Sequence, residues 1–166
     1  MADWNRIVRE HGPVVFATAW RILGHAADTE DVVQEVFLQA HQTQKVQEVF
    51  SWGALLRRLA TCRALDRLRQ RRRLVSLEGD SIAAPEGGDP ESLAMERELS
   101  DRLRLALAQL PPREGSVFCL RFFDDLSYEE IAQTLQISAG AVATALHKAR
   151  SRLESLLLES AAQERE

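Results

Sequence analysis

The sequence predicts an all-α fold with two small helical domains, a flexible acidic linker between them, and a helix-turn-helix in the C-terminal domain. Apolar residues recur every three or four positions over most of the 166 residues, which is the period of a helix, and no segment alternates as a strand would. Residues 78–92 combine three glycines, two prolines and five acidic residues, a composition that does not build a packed element. Residues 127–150 contain two apolar-periodic segments separated by a short turn.

We place the first domain at residues 1–75, the linker at residues 76–94 and the second domain at residues 95–166. A flexible linker of about 20 residues spans roughly 25 Å, enough to let the two domains sit apart on a partner. Each domain has only about 70 residues, a size at which one hydrophobic core gives marginal stability. Docking on a larger partner would therefore stabilise both domains.

Three helices are predicted in the first domain. The pair Gly12-Pro13 favours the start of the first helix, and Gly24 favours its end. Asp28 is expected to cap the second helix and Ser51 the long third one. The predicted core consists of the apolar sides of these helices: Val14, Val15, Ala19, Ile22, Leu23, Val32, Val33, Val36, Phe37, Ala40, Leu55, Leu56, Leu59, Cys62, Leu65 and Leu68.

The second domain is predicted to open with a helix over residues 93–110, which Pro111 and Pro112 end. A shorter helix over residues 113–123 follows it. The inward positions of these two helices are Leu99, Leu103, Leu107, Leu110, Val117, Leu120 and Phe123.

Residues 127–150 favour two capped helices joined by a tight turn. Ser127 is placed to cap the first helix, with Glu130 completing a capping box, and Ser138 is placed to cap the second. The buried side is expected to hold Ile131, Ala132, Leu135, Ile137, Val142, Leu146, Ala149 and Leu153. The opposite face is free to enter the major groove of DNA, although an ordinary helical hairpin shares this pattern.

The composition, 45% hydrophobic and 28% charged, is that of an ordinary soluble globular protein. No apolar run approaches the roughly 20 residues that cross a bilayer, and the first residues do not form a secretory signal. These features predict a cytoplasmic protein without membrane insertion.

The sequence gives little support for an enzymatic function. The four histidines lie far apart, without cysteine or carboxylate at metal-ligand spacing, and no glycine-rich phosphate loop is present. Cys62 and Cys119 fall at apolar-periodic positions, which predicts buried free thiols. We therefore predict a protein that is not an enzyme and uses no cofactor and no metal.

Charge is distributed unevenly along the chain. Residues 51–73 carry a net charge of +7 from eight arginines without a lysine, whereas residues 74–101 carry −7. Arginine is the better phosphate ligand because its planar fork offers paired donors, so this helix favours contact with nucleic acid over mere solubility. The overall charge of −4 argues against a protein that coats DNA nonspecifically.

Several segments in this order resemble one protein family, the extracytoplasmic-function class of bacterial RNA polymerase sigma factors. They are residues 21–24 (RILG) with 31–40 (DVVQEVFLQA), 64–73 (ALDRLRQRRR), 110–113 (LPPR), and 126–132 (LSYEEIA) with 147–153 (HKARSRL). The resemblance implies a non-catalytic, two-domain factor that binds core RNA polymerase, recognises promoter DNA at the minus-ten and minus-thirty-five elements, and helps to open the strands. It also implies a possible anti-sigma factor as a partner.

The resemblance assigns roles to four groups of residues. The surface that docks on the polymerase would be Asp31, Gln34, Glu35 and Leu38. The basic helix would contact the minus-ten region through Arg57, Arg58, Arg63, Arg67, Arg69, Arg71 and Arg72. The loop that captures a flipped base would use Gln44, Lys45, Gln47 and Glu48, and the recognition helix Ser138, Thr144, His147, Lys148 and Arg150. Without the resemblance, a solvated helix face is the simpler interpretation of the first group.

Two departures from the family pattern bear on function. Leu55 and Cys62 stand where the family usually has a Trp and an Asn, with Trp52 nearby. Ala143 and Ala145 stand on the recognition helix where cationic residues are common, which predicts weak or unusual recognition of the upstream element. The alternatives are a sigma-like regulator that binds polymerase or an anti-sigma protein with weak or no promoter recognition, and a stand-alone helix-turn-helix repressor.

Overall fold

The computed structural model describes residues 1–78 and 90–166, and within them the chain is helical, without strands. This confirms the predicted all-α class. The helices are α1 (Trp4–Leu23), α2 (Ala26–Thr43), α3 (Trp52–Glu78), α4 (Pro90–Leu107), α5 (Pro112–Phe122), α6 (Tyr128–Leu135) and α7 (Ala139–Gln163). We call residues 1–78 the N-terminal module and residues 90–166 the C-terminal module. Most of the predicted linker falls on residues 79–89, outside the described residues, so its boundaries stay a prediction.

Helix α1 begins earlier than the sequence predicts. The Asp3 carboxylate accepts a hydrogen bond from the backbone N–H of Arg6 at 3.2 Å and caps the helix, which continues through Pro13. The prediction of a start at Gly12-Pro13 is therefore wrong, because the capped first turns hold the helix although Pro13 supplies no N–H. The end is as predicted: Gly24 takes the left-handed conformation at φ 60° and donates to the Trp20 carbonyl at 2.7 Å.

Helix α2 is capped by His25, whose Nδ1 accepts from the Asp28 backbone N–H at 3.3 Å. The expectation that Asp28 is the cap is thus wrong, and its carboxylate is turned toward the arginines of α3. Ser51 does hold the start of α3, since its hydroxyl accepts from the Ala54 N–H at 3.2 Å.

Helix α4 ends at Leu107 because residues 108–110 close into tight turns before the two prolines. Leu99, predicted to be buried, is 65% exposed. The error has a simple cause: the N-terminal half of α4 extends beyond the core, which this helix reaches only from Leu103 onward. Val14 also departs from the predicted core, at 39% exposure.

The helix caps predicted in residues 127–150 are present in the structure. Ser127 and Glu130 form the capping box, with distances of 3.1 Å for both reciprocal hydrogen bonds. Ser138 caps α7 by accepting from the Ala141 N–H at 3.0 Å. Gln136 turns the chain in the left-handed conformation, and Ile137 packs against the small core of this motif.

The two modules pack against each other around α3. One hydrophobic cluster contains Leu56 and Leu65 of α3 together with Leu110 and Leu153 of the C-terminal module. Helix α3 contacts α1 and α2 of the N-terminal module and α4, α5 and α6 of the C-terminal module. The arginine-rich helix α3 is therefore the central element of the molecule. We call this arrangement, in which the two modules pack against each other, the closed molecule. A second, smaller core lies within the helix-turn-helix.

Candidate functional site

One set of α3 arginines is tied to the N-terminal module. Arg63 donates to the Gln39 side chain at 2.8 Å, and Arg67 pairs with Glu35 at 2.8 Å. Arg67 also lies 3.8 Å from the carboxylates of Asp28 and Asp31. Arg71 approaches Asp28 at 3.5 Å and donates to the Leu23 carbonyl at 3.2 Å. These guanidinium groups fasten α2 and the end of α1 to α3.

A second set reaches toward the C-terminal module. Arg57 lies 3.8 Å from Asp124, Arg58 donates to the Gln136 side chain at 3.2 Å, and Arg69 donates to the Leu110 carbonyl at 3.4 Å. Arg72 and Arg73, in contrast, are exposed near the end of the helix. The arginines that the sequence assigns to DNA are thus held in intramolecular contacts in this state, except at the last turns of α3.

The residues assigned to polymerase docking share the outer face of α2. Asp31, Gln34, Glu35 and Leu38 are all exposed, and Leu38 remains 66% accessible. Because Asp31 and Glu35 both pair with Arg67, this face and the basic helix are electrostatically linked.

The loop between α2 and α3 faces α6 across a cleft of about 160 Å³. Gln47 and Glu48 line this cleft, whereas Gln44 and Lys45 do not. The other lining residues are Val49, Phe50, Ser51, Ala54, Leu55 and Arg58 on the N-terminal side, and Gln133, Thr134 and Gln136 on the C-terminal side. Of the four loop residues that the sequence singled out, the structure brings two to the cleft.

Phe50 is the functional candidate that sequence reasoning missed in this loop. Its side chain is 93% exposed although it is a large aromatic. An aromatic ring held in water next to amide and hydroxyl groups is suited to stacking on an unpaired base. The signal was available, since Phe50 directly precedes the Ser51 cap in an otherwise polar loop.

An aromatic cluster joins the helix ends on either side of the same loop. Trp4 lies 5.0 Å from His41 and 5.2 Å from Trp52, measured between ring centroids. These residues join the start of α1, the end of α2 and the start of α3. Trp52 is therefore engaged in packing in the closed molecule.

Helix α7, which carries the residues assigned to the recognition helix, presents few polar groups on its exposed face. Thr144, His147 and Lys148 are exposed, while the Ser138 hydroxyl is engaged as the helix cap. The guanidinium of Arg150 lies 5.0 Å above the Phe122 ring, a cation–π contact that holds it against α5.

The two alanines of the recognition helix differ in placement. Ala145 is only 5% exposed and belongs to the core of the helix-turn-helix, whereas Ala143 lies on the open face. A cation at position 143 would face solvent or DNA, but one at position 145 would have to displace packed neighbours. Of the two alanines, therefore, only Ala143 occupies a position from which a cationic side chain could reach DNA.

Asp124 joins the two modules and was not identified from the sequence. Its carboxylate, 3% exposed, accepts from the Thr18 hydroxyl at 3.2 Å and from Arg21 at 2.9 Å. Burial raises the pKa of this carboxyl above its usual range, and the nearby Arg57, Thr18 and Arg21 oppose that shift. Its partners lie more than 60 positions away along the chain, so no local pattern indicates them.

Neither cysteine is arranged for chemistry. Cys119 is buried, and burial raises the pKa of its thiol far above the usual range, which keeps it protonated. Cys62 contacts the Ser116 hydroxyl at 3.9 Å.

Within residues 1–78 and 90–166, no group of three or more His, Cys, Asp or Glu side chains could hold a metal ion. None of the helices in these ranges has the length and apolarity that crossing a bilayer requires.

Comparison with known proteins gives matches to both modules. The family described as Sigma-70 region 2 matches residues 7–74, and Sigma-70, region 4 matches residues 100–153. The chain is 34% identical to the ECF RNA polymerase sigma factor SigL of Mycobacterium tuberculosis over 155 residues, which cover 90% of this chain and 86% of SigL. It is 29% identical to SigW of Bacillus subtilis over 157 residues, which cover 86% of this chain and 82% of SigW.

A third relative is longer than this chain. SigE of Mycolicibacterium smegmatis is 32% identical over 160 residues, which cover 95% of this chain but 62% of SigE. Among solved structures, the sigma factor RpoE of Bartonella quintana, crystallised with the anti-sigma factor NepR, superposes with a TM-score of 0.57. That match covers 95% of this chain and 98% of RpoE at 24% identity, and supports the fold. With both sigma-70 regions matched in order, the chain belongs to the extracytoplasmic-function sigma factors, the subunits that direct bacterial RNA polymerase to promoters.

Proposed function

We propose that this sigma factor docks on core RNA polymerase through the outer face of α2. The observation that carries the proposal is the exposed set Asp31, Gln34, Glu35 and Leu38, placed directly beside the arginine-rich helix α3. Docking through this surface would place α3 and the adjoining loop next to promoter DNA that the polymerase holds. The protein acts in the cytoplasm as a specificity subunit and catalyses no step itself.

The minus-ten element would meet α3 and the loop after α2. Arg72 and Arg73 are exposed and could contact phosphates as the chain stands, although Arg73 Nε donates to the Arg69 carbonyl at 3.4 Å. Arg57, Arg58 and Arg69 would join them when the C-terminal module moves away. Guanidinium contacts to phosphates fix register without discriminating between bases. Base capture would fall to Phe50, Gln47 and Glu48 in the cleft beside the loop.

The minus-thirty-five element would meet the open face of α7. Thr144, His147 and Lys148 are exposed polar side chains there, Arg150 is exposed as well although its guanidinium lies over the Phe122 ring, and Ala143 could contact a thymine methyl group. Such a sparse set supports only modest base discrimination. An anti-sigma factor is a further partner in this proposal, because the structurally similar sigma factor RpoE of Bartonella quintana was crystallised in complex with the anti-sigma factor NepR.

A matched pair of leucines tests the docking surface. Leu38 on α2 and Leu158 on α7 are both 66% exposed, so Leu38→Asp and Leu158→Asp make the same chemical change at equal accessibility. We expect Leu38→Asp to reduce co-purification with core polymerase at least tenfold, since a buried charge at an interface carries a large desolvation cost. Equal co-purification of both variants would remove α2 from the proposal.

The sparse recognition helix favours a second candidate, a sigma-like regulator that binds polymerase or an anti-sigma protein with weak or no promoter recognition. Ala143 on the open face of α7 is the observation behind it. Run-off transcription with matched core polymerase on a library of genomic fragments separates the two candidates. Specific transcripts support the sigma factor, whereas polymerase binding without any transcript supports the regulator.

A further inference from the structure

The outer face of helix α1 carries large apolar side chains that remain exposed in the described chain. Phe16 is 41% exposed and Trp20 is 40% exposed, and Pro13 is exposed one turn before Phe16. The buried residues of this helix, among them Val15 and Ile22, lie on its other side and face the core. A single exposed apolar residue is ordinary, but rings aligned on one helix face are typical of an interaction surface.

The two rings on this face are already ordered. Phe16 and Trp20 stand one turn apart, with their ring centroids separated by 6.3 Å and their planes at 8°. Because the rings stack on each other, little side-chain freedom is left to lose when a partner covers them. An ordered aromatic surface of this kind favours association, since ordering flexible side chains is one of the main costs of binding.

The exposed residues of this face follow the spacing of a helix-packing seam. Arg9, Pro13, Phe16 and Trp20 are separated by four, three and four positions, and all four are exposed. The same alternation of three and four defines the contact line along which two helices pack. We call these four residues the α1 seam.

The α1 seam is complementary to itself when two copies of the helix run antiparallel. A two-fold axis at the middle of the seam places Arg9 of one copy opposite Trp20 of the other, a cation–π pair. It also places Pro13 opposite Phe16, ring against ring. The neighbouring Gly12 has no atom within 4 Å of where a Cβ would lie, so the face has room for that ring. Symmetry repeats each contact, as in an isologous dimer interface.

Charges beside the seam match in the same arrangement. Glu10 and Arg21 lie on one edge of the face, because eleven positions bring a helix back to nearly the same side. Their side chains are 48% and 49% exposed. In an antiparallel pair the same edges adjoin, which brings Glu10 near Arg21 of the second copy. Opposite charges therefore meet beside the apolar contacts, and this complementarity identifies a second copy as the occupant.

We propose that α1 is a homodimer interface, in which the α1 seam packs antiparallel against the same seam of a second copy. This assembly goes beyond the proposed function and uses only the N-terminal module. A large aromatic side chain buries about 150–250 Å², so rings that are two-fifths exposed add roughly 60–100 Å² each. The interface thus stays below the ~1,000 Å² of stable complexes, and the dimer is weak, with a Kd on the order of 100 µM.

Sedimentation equilibrium of the full chain, from about 10 µM to about 1 mM, tests the dimer. The average mass of the wild type should rise from 18.7 kDa toward twice that value. Phe16→Asp should weaken association at least tenfold, because the interface would bury a charge. Phe122→Asp is the matched control: Phe122 is 45% exposed and also contacts a neighbouring ring, with centroids 4.7 Å apart. This control should associate as the wild type does.

A mixing experiment tests the antiparallel pairing. Arg9→Glu removes the cation opposite Trp20, and Trp20→Lys sets a cation opposite Arg9, so each variant alone should associate less than the wild type. In an equimolar mixture, one contact becomes an ion pair and the other stays as in the wild type. The mixture should therefore associate more tightly than either variant. Two dyes on the N-terminal amines let sedimentation velocity detect the mixed dimer.

Three results would overturn the inference: a wild type that stays monomeric at about 1 mM, equal association of Phe16→Asp and Phe122→Asp, or a mixture no tighter than its components. Circular dichroism establishes that each variant is folded, and if Phe16→Asp is not, the mixing experiment decides. Co-purification with core polymerase reports on the other occupant. A monomeric wild type whose polymerase binding is lost in Phe16→Asp would assign this face to polymerase and reject the dimer.

Discussion

The two helices assigned to DNA differ in a way that their sequences conceal. Helix α3 carries eight arginines, yet Arg57, Arg58, Arg63, Arg67, Arg69 and Arg71 contact other protein groups in the closed molecule. The recognition helix α7 has far fewer cations, yet Thr144, His147 and Lys148 are accessible. Charge density in a sequence therefore does not measure how much charge is available to a ligand. Availability depends on which side chains the fold has already paired.

The strongest test of this comparison is to break the core that buries α3 between the modules. Leu65 is 1% exposed and belongs to the hydrophobic cluster that contains residues of both modules. Leu65→Ala should lower the free energy of unfolding by about 2–5 kcal/mol, because it leaves a cavity in a packed interior. Urea unfolding followed by circular dichroism measures this loss.

If the shared core couples the modules, the variant and the wild type should each unfold in a single transition. A matched substitution in the smaller core, Leu146→Ala, should be destabilising by a similar amount because Leu146 is also 1% exposed. Two separate transitions in the wild type would show that the modules do not depend on the common core.

The next test separates the arginines of α3 that bridge to other helices from those that are exposed. Replacing both Arg67 and Arg71 by Ala should lower thermal stability by a few degrees, since each side chain bridges elements of the N-terminal module. Replacing Arg72 and Arg73 by Ala should leave the melting temperature unchanged and weaken promoter binding. Thermal melts and promoter-binding assays of the two double variants check this.

Transcription adds a second measurement to that comparison. Replacing Arg67, Arg69 and Arg71 together should abolish promoter opening, because the resemblance assigns these arginines to contact with the minus-ten region. The structure adds that part of this loss would come from instability. If Arg67→Ala with Arg71→Ala melts as the wild type does, their ion pairs contribute nothing measurable and these arginines are free for DNA.

The recognition helix should show a smaller effect in the opposite direction. Ala143 lies on the open face of α7, so Ala143→Lys adds a cation where the fold has room for one. We expect tighter DNA binding and a plot of log affinity against log salt that is steeper by about 1, because one more phosphate is neutralised. The matched change at the buried Ala145, to Lys, should destabilise the motif instead. A flat response at position 143 would place DNA elsewhere on the module.

Local rules of helix formation account for what the sequence predicted well. The capping box of Ser127 and Glu130, the cap at Ser138 and the stop at Gly24 depend on neighbours within four residues, and all three are present. The errors arose where two local signals competed. Pro13 is compatible with both the start and the interior of a helix, and it lies inside α1. Both His25 and Asp28 are suited to cap α2, and the cap is His25.

The contacts between the modules were beyond local rules. Asp124 meets Thr18 and Arg21 across more than 100 positions, and the approach of α5 to α3 at Gly115 depends on how both modules pack. The amphipathic pattern of α3 shows which positions are buried but not by which module. For the same reason the sequence predicted the arginines of α3 as phosphate ligands without indicating their protein partners.

The smallest expected effect concerns the capping box at the start of α6, the wall of the cleft. The Ser127 backbone N–H donates to Glu130 Oε1, and this hydrogen bond holds the pKa of the Glu130 carboxyl below its usual value. A depressed pKa means that the ionised form stabilises the folded helix. This stabilisation is present above the ordinary carboxyl pKa and is lost as the pH falls through the depressed value.

Glu130→Gln keeps an acceptor oxygen but does not titrate, so it isolates this contribution. Between neutral pH and about pH 3, the wild type should lose more helix-capping stability than Glu130→Gln, whose own capping should stay constant. Amide hydrogen exchange at the Ser127 and Glu130 N–H groups measures the difference. Because Glu130 is exposed and solvent screens it, the change should remain confined to the first turn of α6 and leave the closed arrangement intact. Opening of the modules in step with Glu130 protonation would instead mean that the recognition motif is held to α3 through its first turn as well as through Asp124.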